Sequence, residues 1–423
     1  MLKRMTNFAL KTFTRLNPSE KPLLFTGPNS AIQLASLLRA SGRKRPLLVT
    51  EKILIELGVL DDLLAHFKAE GCEITLFDGI IPNPTFEVIE NGIGACNQHN
   101  CDSVFAVGGG STIDAAKVIA ACSSNQASVE QVVGLLKVSK PTLPFYAIPT
   151  TSGTGSEVTN AAVVSETKTH QKKFVVDPKL IPTAAALDAN MLKSLPRGVT
   201  AATGMDALTH AIEAYVSTNR FADAERDAKL AVKLLMDFLP AAYADGGDRK
   251  ARELVATASF LAGYAFNKSG LGYVHAISHQ ISAHYNTPHG LANAVILPRV
   301  MRFNKLACER RFADLERAVS NDATGTDEDL AERFIARVET FGQNLGIPSG
   351  LSDLKEKDFH NISKNARKEA KWFYAAPKQM SQSECKEILA EILRAAQTDE
   401  RGKPQASKSN RESQEVKRVP VAV

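Results

Sequence analysis

Between residues 22 and 196 the chain alternates short apolar runs with stretches whose apolar positions recur at helical spacing. The runs LLFT (23–26), LLVT (47–50), ITLF (74–77), SVFAV (103–107) and FYAIP (145–149) have strand length and are separated by helix-length segments. That alternation predicts a parallel, doubly wound α/β sheet. After Pro196 the texture changes. Residues 197–397 carry long amphipathic segments rich in Ala, Leu, Arg and Glu without a strand-like run, predicting an all-helical domain entered through the SLPRG turn at 194–198. The basic stretch 1–21, which has no acid before Glu20, reads as an N-terminal arm. Residues 398–423, polar and aperiodic, read as a disordered tail.

Bulk properties narrow the partners. A chain of 423 residues with 44% hydrophobic and 23% charged residues can bury the cores of two domains. The net charge of +5 comes in part from the ends, where Lys3, Arg4, Lys11, Arg15, Lys403, Lys408, Arg411, Lys417 and Arg418 cluster, so it does not describe a nucleic-acid-binding face. No apolar run approaches the roughly 20 residues of a membrane span. Six cysteines without a CxxC pair indicate neither a thiolate metal site nor a disulfide framework, which points to the reducing cytoplasm.

The run SVFAVGGGSTIDAAKVIA (103–120) joins a strand, a glycine turn and a helix start. Gly108, Gly109 and Gly110 let backbone approach an anion, and Ser111 is predicted to cap a helix whose N-terminal N–H groups favour phosphate. The pattern is neither GxGxxG nor a P-loop. A second loop, IPTTSGTGSEVT (148–159), offers the hydroxyls of Thr150, Thr151, Ser152 and Thr154 after another strand. Two such loops after parallel strands fall at the carboxyl edge of the sheet, where open α/β folds bind ligands. Glu51, just past LLVT, can accept hydrogen bonds from ribose hydroxyls and repel a 2′-phosphate, favouring NAD over NADP.

In the helical half, one carboxylate and five of the nine histidines fall between Asp206 and His289. Asp206 and His210 are four apart in GMDALTHAIEAY (204–215), and His275 and His279 repeat the spacing in GLGYVHAISHQ (270–280), so each pair shares a helix face. His289 follows Pro288, which cannot continue a helix, and is predicted to reach in from the loop or turn after it. Mixed nitrogen and oxygen donors suit Zn, Fe(II), Mn or Ni. Spacing does not say which histidine is surplus, although His284 points off the face shared by His275 and His279.

The motifs DGIIPNPT (78–85), GGGSTIDAAK (108–117), IPTTSGTGSEVT, GMDALTHAIEAY and GLGYVHAISHQ…YNTPHGLANAVILP (270–298) together resemble the iron-containing (group III) alcohol dehydrogenases, of the dehydroquinate synthase-like superfamily. The resemblance spans about residues 22–395. It implies an N-terminal dinucleotide domain, a C-terminal helical metal domain, an active site in the cleft between them, and pairing as a homodimer. Asp206, His210, His275 and His289 match the family's metal ligands, for Fe(II) or alternatively Zn. His279 matches a histidine that stays off the metal in a proton relay. Gly109, Gly110, Ser111 and Asp114 match the pyrophosphate loop, Asn83 the asparagine of the PNPT turn, and Thr150, Thr151 and Thr154 the second loop. Lys172 matches a lysine along the cofactor, and Phe266 falls in the substrate pocket. The implied reaction is reversible oxidation of an alcohol to an aldehyde or ketone with hydride transfer to NAD. A hydroxyacid–oxoacid transhydrogenase is the alternative, and a lyase of the dehydroquinate synthase type a more distant one. Three departures stand out: NAD-preferring members carry Asp where this chain has Glu51, residues 375–389 match the family's Asn-Pro-Arg helix start only loosely, and the tail has no counterpart.

Overall fold

The five apolar runs become strands because both faces of the sheet are covered. In a computed structural model that describes residues 20–168 and 171–402, β1 (Leu23–Thr26), β2 (Pro46–Val49), β3 (Thr75–Phe77), β4 (Ser103–Gly108), β6 (Phe145–Pro149) and β9 (Ala184–Leu187) form one sheet in the order β1-β9-β6-β4-β2-β3. Every pairing in it is parallel. Alternate residues of β4 serve opposite cores: Val104 and Ala106 pack with Ile89, Ile113 and Ile119, whereas Phe105 and Val107 pack with Leu34, Leu38 and Phe67. Burial on both faces is why β4 is a continuous apolar run and not an alternating one.

Apolar patterning did not reveal β9. Its sequence Ala-Ala-Ala-Leu has the composition of a helix, yet it lies fully buried between β1 and β6, where neighbouring strands supply its hydrogen bonds. A smaller sheet was likewise unanticipated. There β8 (Lys172–Val176) pairs antiparallel with β7 (Ala161–Ser165) and parallel with β5 (Gly134–Leu135).

The described residues after β9 contain helices only. Those that matter below are α2 (Arg197–Val216), α3 (Ala222–Ala244), α4 (Arg249–Ser269), α5 (Tyr273–Tyr285), α6 (His289–Val319), α7 (Asp327–Asn344), α8 (Phe359–Phe373) and α9 (Gln382–Gly402), with α1 (Gly110–Asn125) following β4 in the sheet half. Helix α2 is buried along its whole length from Val199 to Val216, with α3, α4 and α6 packed around it. A helix enclosed on all sides holds its polar side chains out of water, so Asp206, His210 and Glu213 on α2 need partners inside the protein.

Three sequence expectations are corrected. His289 is the first residue of a new helix, not part of a loop: Pro288, with its fixed φ, stands at the N-terminus of α6. Ser111 is not a cap, because Gly109 holds that position and Ser111 lies inside α1. The expected disordered tail begins too early, since α9 runs on to Gly402 and Thr398 donates its hydroxyl to the Arg394 carbonyl. Nothing in Thr398–Arg401 breaks a helix. The rest of the tail and most of the N-terminal arm lie outside the described residues.

Candidate active site

Asp206 and His210 stack one turn apart on α2, α5 brings His275, and the first residue of α6 brings His289. One oxygen, Asp206 Oδ1, lies 4.0 Å from His210 Nε2, 3.8 Å from His275 Nε2 and 3.7 Å from His289 Nε2. Asp206, His210 and His275 are buried to within a few per cent. Burial depresses the pKa of His210 to about 4 and that of His289 well below the usual histidine range, where the neighbouring histidines add to the effect. Both imidazoles are therefore neutral and offer a lone pair.

Orienting hydrogen bonds decide which nitrogen carries that lone pair. His210 Nδ1 is 3.1 Å from the Gly153 carbonyl, which can only accept, so Nδ1 is protonated and Nε2 is free. His275 Nδ1 is 2.7 Å from Glu213 Oε2, whose other oxygen accepts from the Val274 N–H at 2.8 Å. Glu213 thereby fixes both the ring and the start of its helix.

The cluster fits a divalent cation. Asp206 Oδ2, His289 Nδ1 and Asn293 Oδ1 are buried without a hydrogen-bond partner. The Asn293 amide nitrogen lies 2.6 Å from Asp206 Oδ1 and 3.1 Å from Nε2 of both His275 and His289. Three acceptors thus converge on an amide that has two hydrogens to give, an excess of lone pairs that a cation satisfies. The ligand atoms of Asp206, His210 and His275 lie within 4.8 Å of one another and His289 Nε2 is 3.7 Å from Asp206 Oδ1, separations that suit one small ion with bonds of about 2.0–2.2 Å, and nitrogen with carboxylate oxygen suits Fe(II) or Zn.

His279 sits beside this cluster, its ring stacked on His289 with centroids 5.1 Å apart. Its Nδ1 is 2.6 Å from Glu369 Oε1 on α8, and Glu369 also accepts from the Tyr374 hydroxyl at 2.6 Å and the Gln280 amide at 3.0 Å. Burial pushes the Glu369 carboxyl up, but the His279 ring beside it and these hydrogen bonds outweigh that push and lower its pKa. His284 points away, half exposed, 3.3 Å from Asp358. Phe266 stacks on His210 with centroids 4.3 Å apart.

On the sheet side, β4 and β6 are neighbours, so the glycine turn and the Thr-rich loop leave the same edge together. The Thr150 N–H donates to the Gly108 carbonyl at 3.0 Å, and a Cβ on Gly110 would lie 2.6 Å from Thr154 Cγ2. Thr151 is buried beside Gly109. Gly155, with φ 61°, packs against α4 so closely that a Cβ would meet Gly263 Cα at 2.5 Å. That contact and the Gly153–His210 bond join the sheet loop to the helical half. Glu51 is buried and not a solvated helix start: its Oε1 accepts from the Gly109 N–H at 3.2 Å and the Thr112 hydroxyl at 2.6 Å. Asn83, whose φ of 54° asparagine tolerates, donates its N–H to Ser111 Oγ at 3.3 Å. Asp114 is a brace, with one oxygen taking the Ser156 hydroxyl and the other the Val163 N–H at 2.8 Å; burial raises its pKa. Lys172, on β8, feels the carboxylates of Glu369, Asp114 and Asp206, although burial is the largest influence and lowers its pKa.

Glu213, Asn293 and Glu369 were not anticipated. Glu213 could have been, since it lies three residues after His210 on the same helix face; Asn293 is likewise one turn beyond His289. Glu369 is 90 residues from His279, and no spacing announces it.

Comparison with known proteins gives the family. Residues 22–189 match the family model for iron-containing alcohol dehydrogenase and residues 200–393 the C-terminal model of the Fe-containing alcohol dehydrogenase family. The chain is 37% identical over 348 residues to the NAD-dependent methanol dehydrogenase of Bacillus methanolicus, covering 82% of this chain and 91% of that protein. It is 38% identical over 377 residues to the 1,3-propanediol dehydrogenase of Klebsiella pneumoniae, covering 88% and 96%. Among solved structures, an alcohol dehydrogenase from Oenococcus oeni superposes with a TM-score of 0.85 at 33% identity, covering 88% of this chain and 98% of that one. The chain belongs to the iron-containing alcohol dehydrogenase family.

Proposed function

We propose that the protein is a metal-dependent, NAD-linked alcohol dehydrogenase that interconverts an alcohol with its aldehyde or ketone. The observation that carries this reading is the convergence of Asp206 Oδ1 and three histidine Nε2 atoms directly beside two anion-binding loops, one of which orients His210. Residues 22–196 are read as the cofactor domain and 197–397 as the metal domain.

A divalent ion held by Asp206, His210, His275 and His289, Fe(II) or alternatively Zn, supplies Lewis acidity toward the substrate oxygen, and NAD supplies the hydride-accepting carbon. The N–H groups of Gly110 and Ser111 at the start of α1 favour the pyrophosphate, with Gly109 letting the backbone approach it closely and Asn83 flanking it. Thr150, Thr151 and Thr154 offer hydroxyls beside it, Lys172 would lie along the cofactor, and Asp114 ties α1 to the Thr-rich loop through Ser156. The Glu51 carboxylate beside Gly109 disfavours a 2′-phosphate. His279, oriented by Glu369, carries the alcohol proton toward solvent.

We also read the protein as a cytoplasmic homodimer. Its six unpaired cysteines suit a reducing compartment, and β1 lies at the edge of the large sheet with Leu23 exposed. Gel filtration with light scattering tests the dimer. Anaerobically purified, Fe(II)-loaded protein mixed with NAD and a panel of alcohols is expected to produce NADH fluorescence. Absence of NADH from every alcohol, with exchange only when an oxoacid is added, would replace this reading by a transhydrogenase.

A further inference from the structure

Two of the six cysteines meet at the opposite end of β4 from the glycine turn. The helix Phe86–Gln98 closes in a turn where Asn100 has φ 48° and the Cys101 N–H donates to the Cys96 carbonyl at 2.9 Å. A carbonyl oxygen lies about 2.4 Å from its own Cα and an amide nitrogen about 1.5 Å from its own, so this one bond keeps the two Cα atoms at most about 6.8 Å apart, within the reach of a disulfide. Both side chains enter the same apolar cluster, beside Ile89, Ile93 and Val104, and there the Cys96 thiol donates a hydrogen bond to the Cys101 sulfur. Both are free thiols in the structure.

Their surroundings give them different roles. Cys96 is 2% exposed, and its hydrogen bond to Cys101, with burial, raises its pKa and keeps it protonated. Cys101 is partly exposed and takes a second hydrogen bond from the Thr75 hydroxyl; the Cys96 thiol, more than any other group, lowers its pKa to about 7 against the push of burial. A thiolate is the attacking form of cysteine. The other four are poorer nucleophiles, since burial drives Cys122, Cys308 and Cys385 each up to about 12 and raises Cys72 as well. One accessible thiolate in contact with one buried thiol is the arrangement that forms a mixed disulfide and then resolves it.

We propose that Cys96 and Cys101 are a reversible redox site, in which Cys101 attacks a small disulfide of the glutathione type and Cys96 resolves the product. In the first step the Cys101 thiolate bonds to one sulfur of glutathione disulfide and expels a glutathione thiolate. Cys96 gives its proton to that thiolate, its sulfur attacks Cys101 Sγ, and the second glutathione leaves as a thiolate that takes up the proton Cys101 had lost to water. Two protein thiols are oxidised to one disulfide, and glutathione disulfide is reduced to two thiols. Ser103 and Gly108 are the two ends of β4, so the pair stands apart from the alcohol chemistry proposed at the glycine turn and does not depend on it.

The test uses the metal-loaded, full-length protein, kept anaerobic, incubated with glutathione disulfide near neutral pH, quenched with acid and alkylated. Trypsin with a glutamate-specific protease releases residues 91–117, which contain Cys96 and Cys101 and no other cysteine. Mass spectrometry should find this peptide lighter than its dithiol form by two hydrogen atoms, restored by dithiothreitol, with the other four cysteines alkylated. In Cys96→Ser the peptide should instead carry one glutathione, at Cys101. In Cys101→Ser its modification should slow at least about tenfold. Alkylation of both thiols in the parent protein, glutathione retained on Cys101 of the parent, or a disulfide from Cys101 to Cys72 would overturn the proposal. The parent protein alone yields these outcomes, so the test holds even if a variant fails to fold.

Discussion

On the sheet side of the proposed cleft, Gly109, Gly110, Thr150, Thr151 and Thr154 come from two short segments and offer backbone and hydroxyl groups. Opposite them, Asp206, His210, Glu213, His275, His289 and Glu369 come from four helices and are ionisable groups held largely out of water. The two sides fail differently. Losing one hydroxyl costs one hydrogen bond of many, about 0.5–1.5 kcal/mol. Losing one member of the buried cluster leaves its partners desolvated and unpaired, which is costly well beyond the bond itself.

That contrast ranks the expected effects. Asp206→Ala or His275→Ala should lower turnover on the order of 10³-fold or more and leave protein that elemental analysis finds depleted in metal; full NAD-linked activity in either variant would remove the cluster from the mechanism. Next comes Glu213→Gln, which keeps the shape but withdraws the charge behind His275. Competition with a chelator should reveal metal affinity weakened about 10–100-fold, and unchanged affinity would make Glu213 a structural residue only. On the sheet side, Thr154→Ala should raise the KM for NAD only about 2–10-fold. A loss as large as that of Asp206→Ala would erase the contrast.

The smallest effect tests whether an ionisable group buried in the sheet half titrates near neutral pH. Glu157, buried beside Lys117, has its pKa pushed up to about 7, by burial first. A carboxyl whose folded pKa exceeds its unfolded value contributes stability that is complete below the unfolded pKa, near 4.5, and lost as pH rises through about 7. Melting temperatures at pH 5 and pH 8 should therefore drop less in Glu157→Gln than in the parent, by roughly 1–3 °C. An identical drop would show that Glu157 does not titrate in this window.

The same contrast explains what the sequence could reveal. Local devices are legible: β4 announces itself as an apolar run, the glycine turn follows it directly, and Asp206–His210 and His275–His279 stand at helical spacing. Devices that depend on packing are not. Strand β9 is an alanine run made extended by its neighbours, and the N-terminal place of His289 on α6 follows from where the chain resumes its helix. Glu369 meets His279 only because α8 packs on α5. Spacing alone also could not separate the ligands from His279; the hydrogen bonds of His210 and His275 to Gly153 and Glu213, against that of His279 to Glu369, show how differently these rings are held.

The bond from His210 to the Gly153 carbonyl joins the proposed cofactor loop to a proposed metal ligand. A shift of that loop on binding NAD would move His210 Nε2, and the cycle of binding steps must close. The factor by which NAD changes the affinity for the ion therefore equals the factor by which the ion changes the affinity for NAD. A cell short of iron would then also hold this protein with altered occupancy by NAD, so metal supply and nicotinamide supply act on it as a single variable.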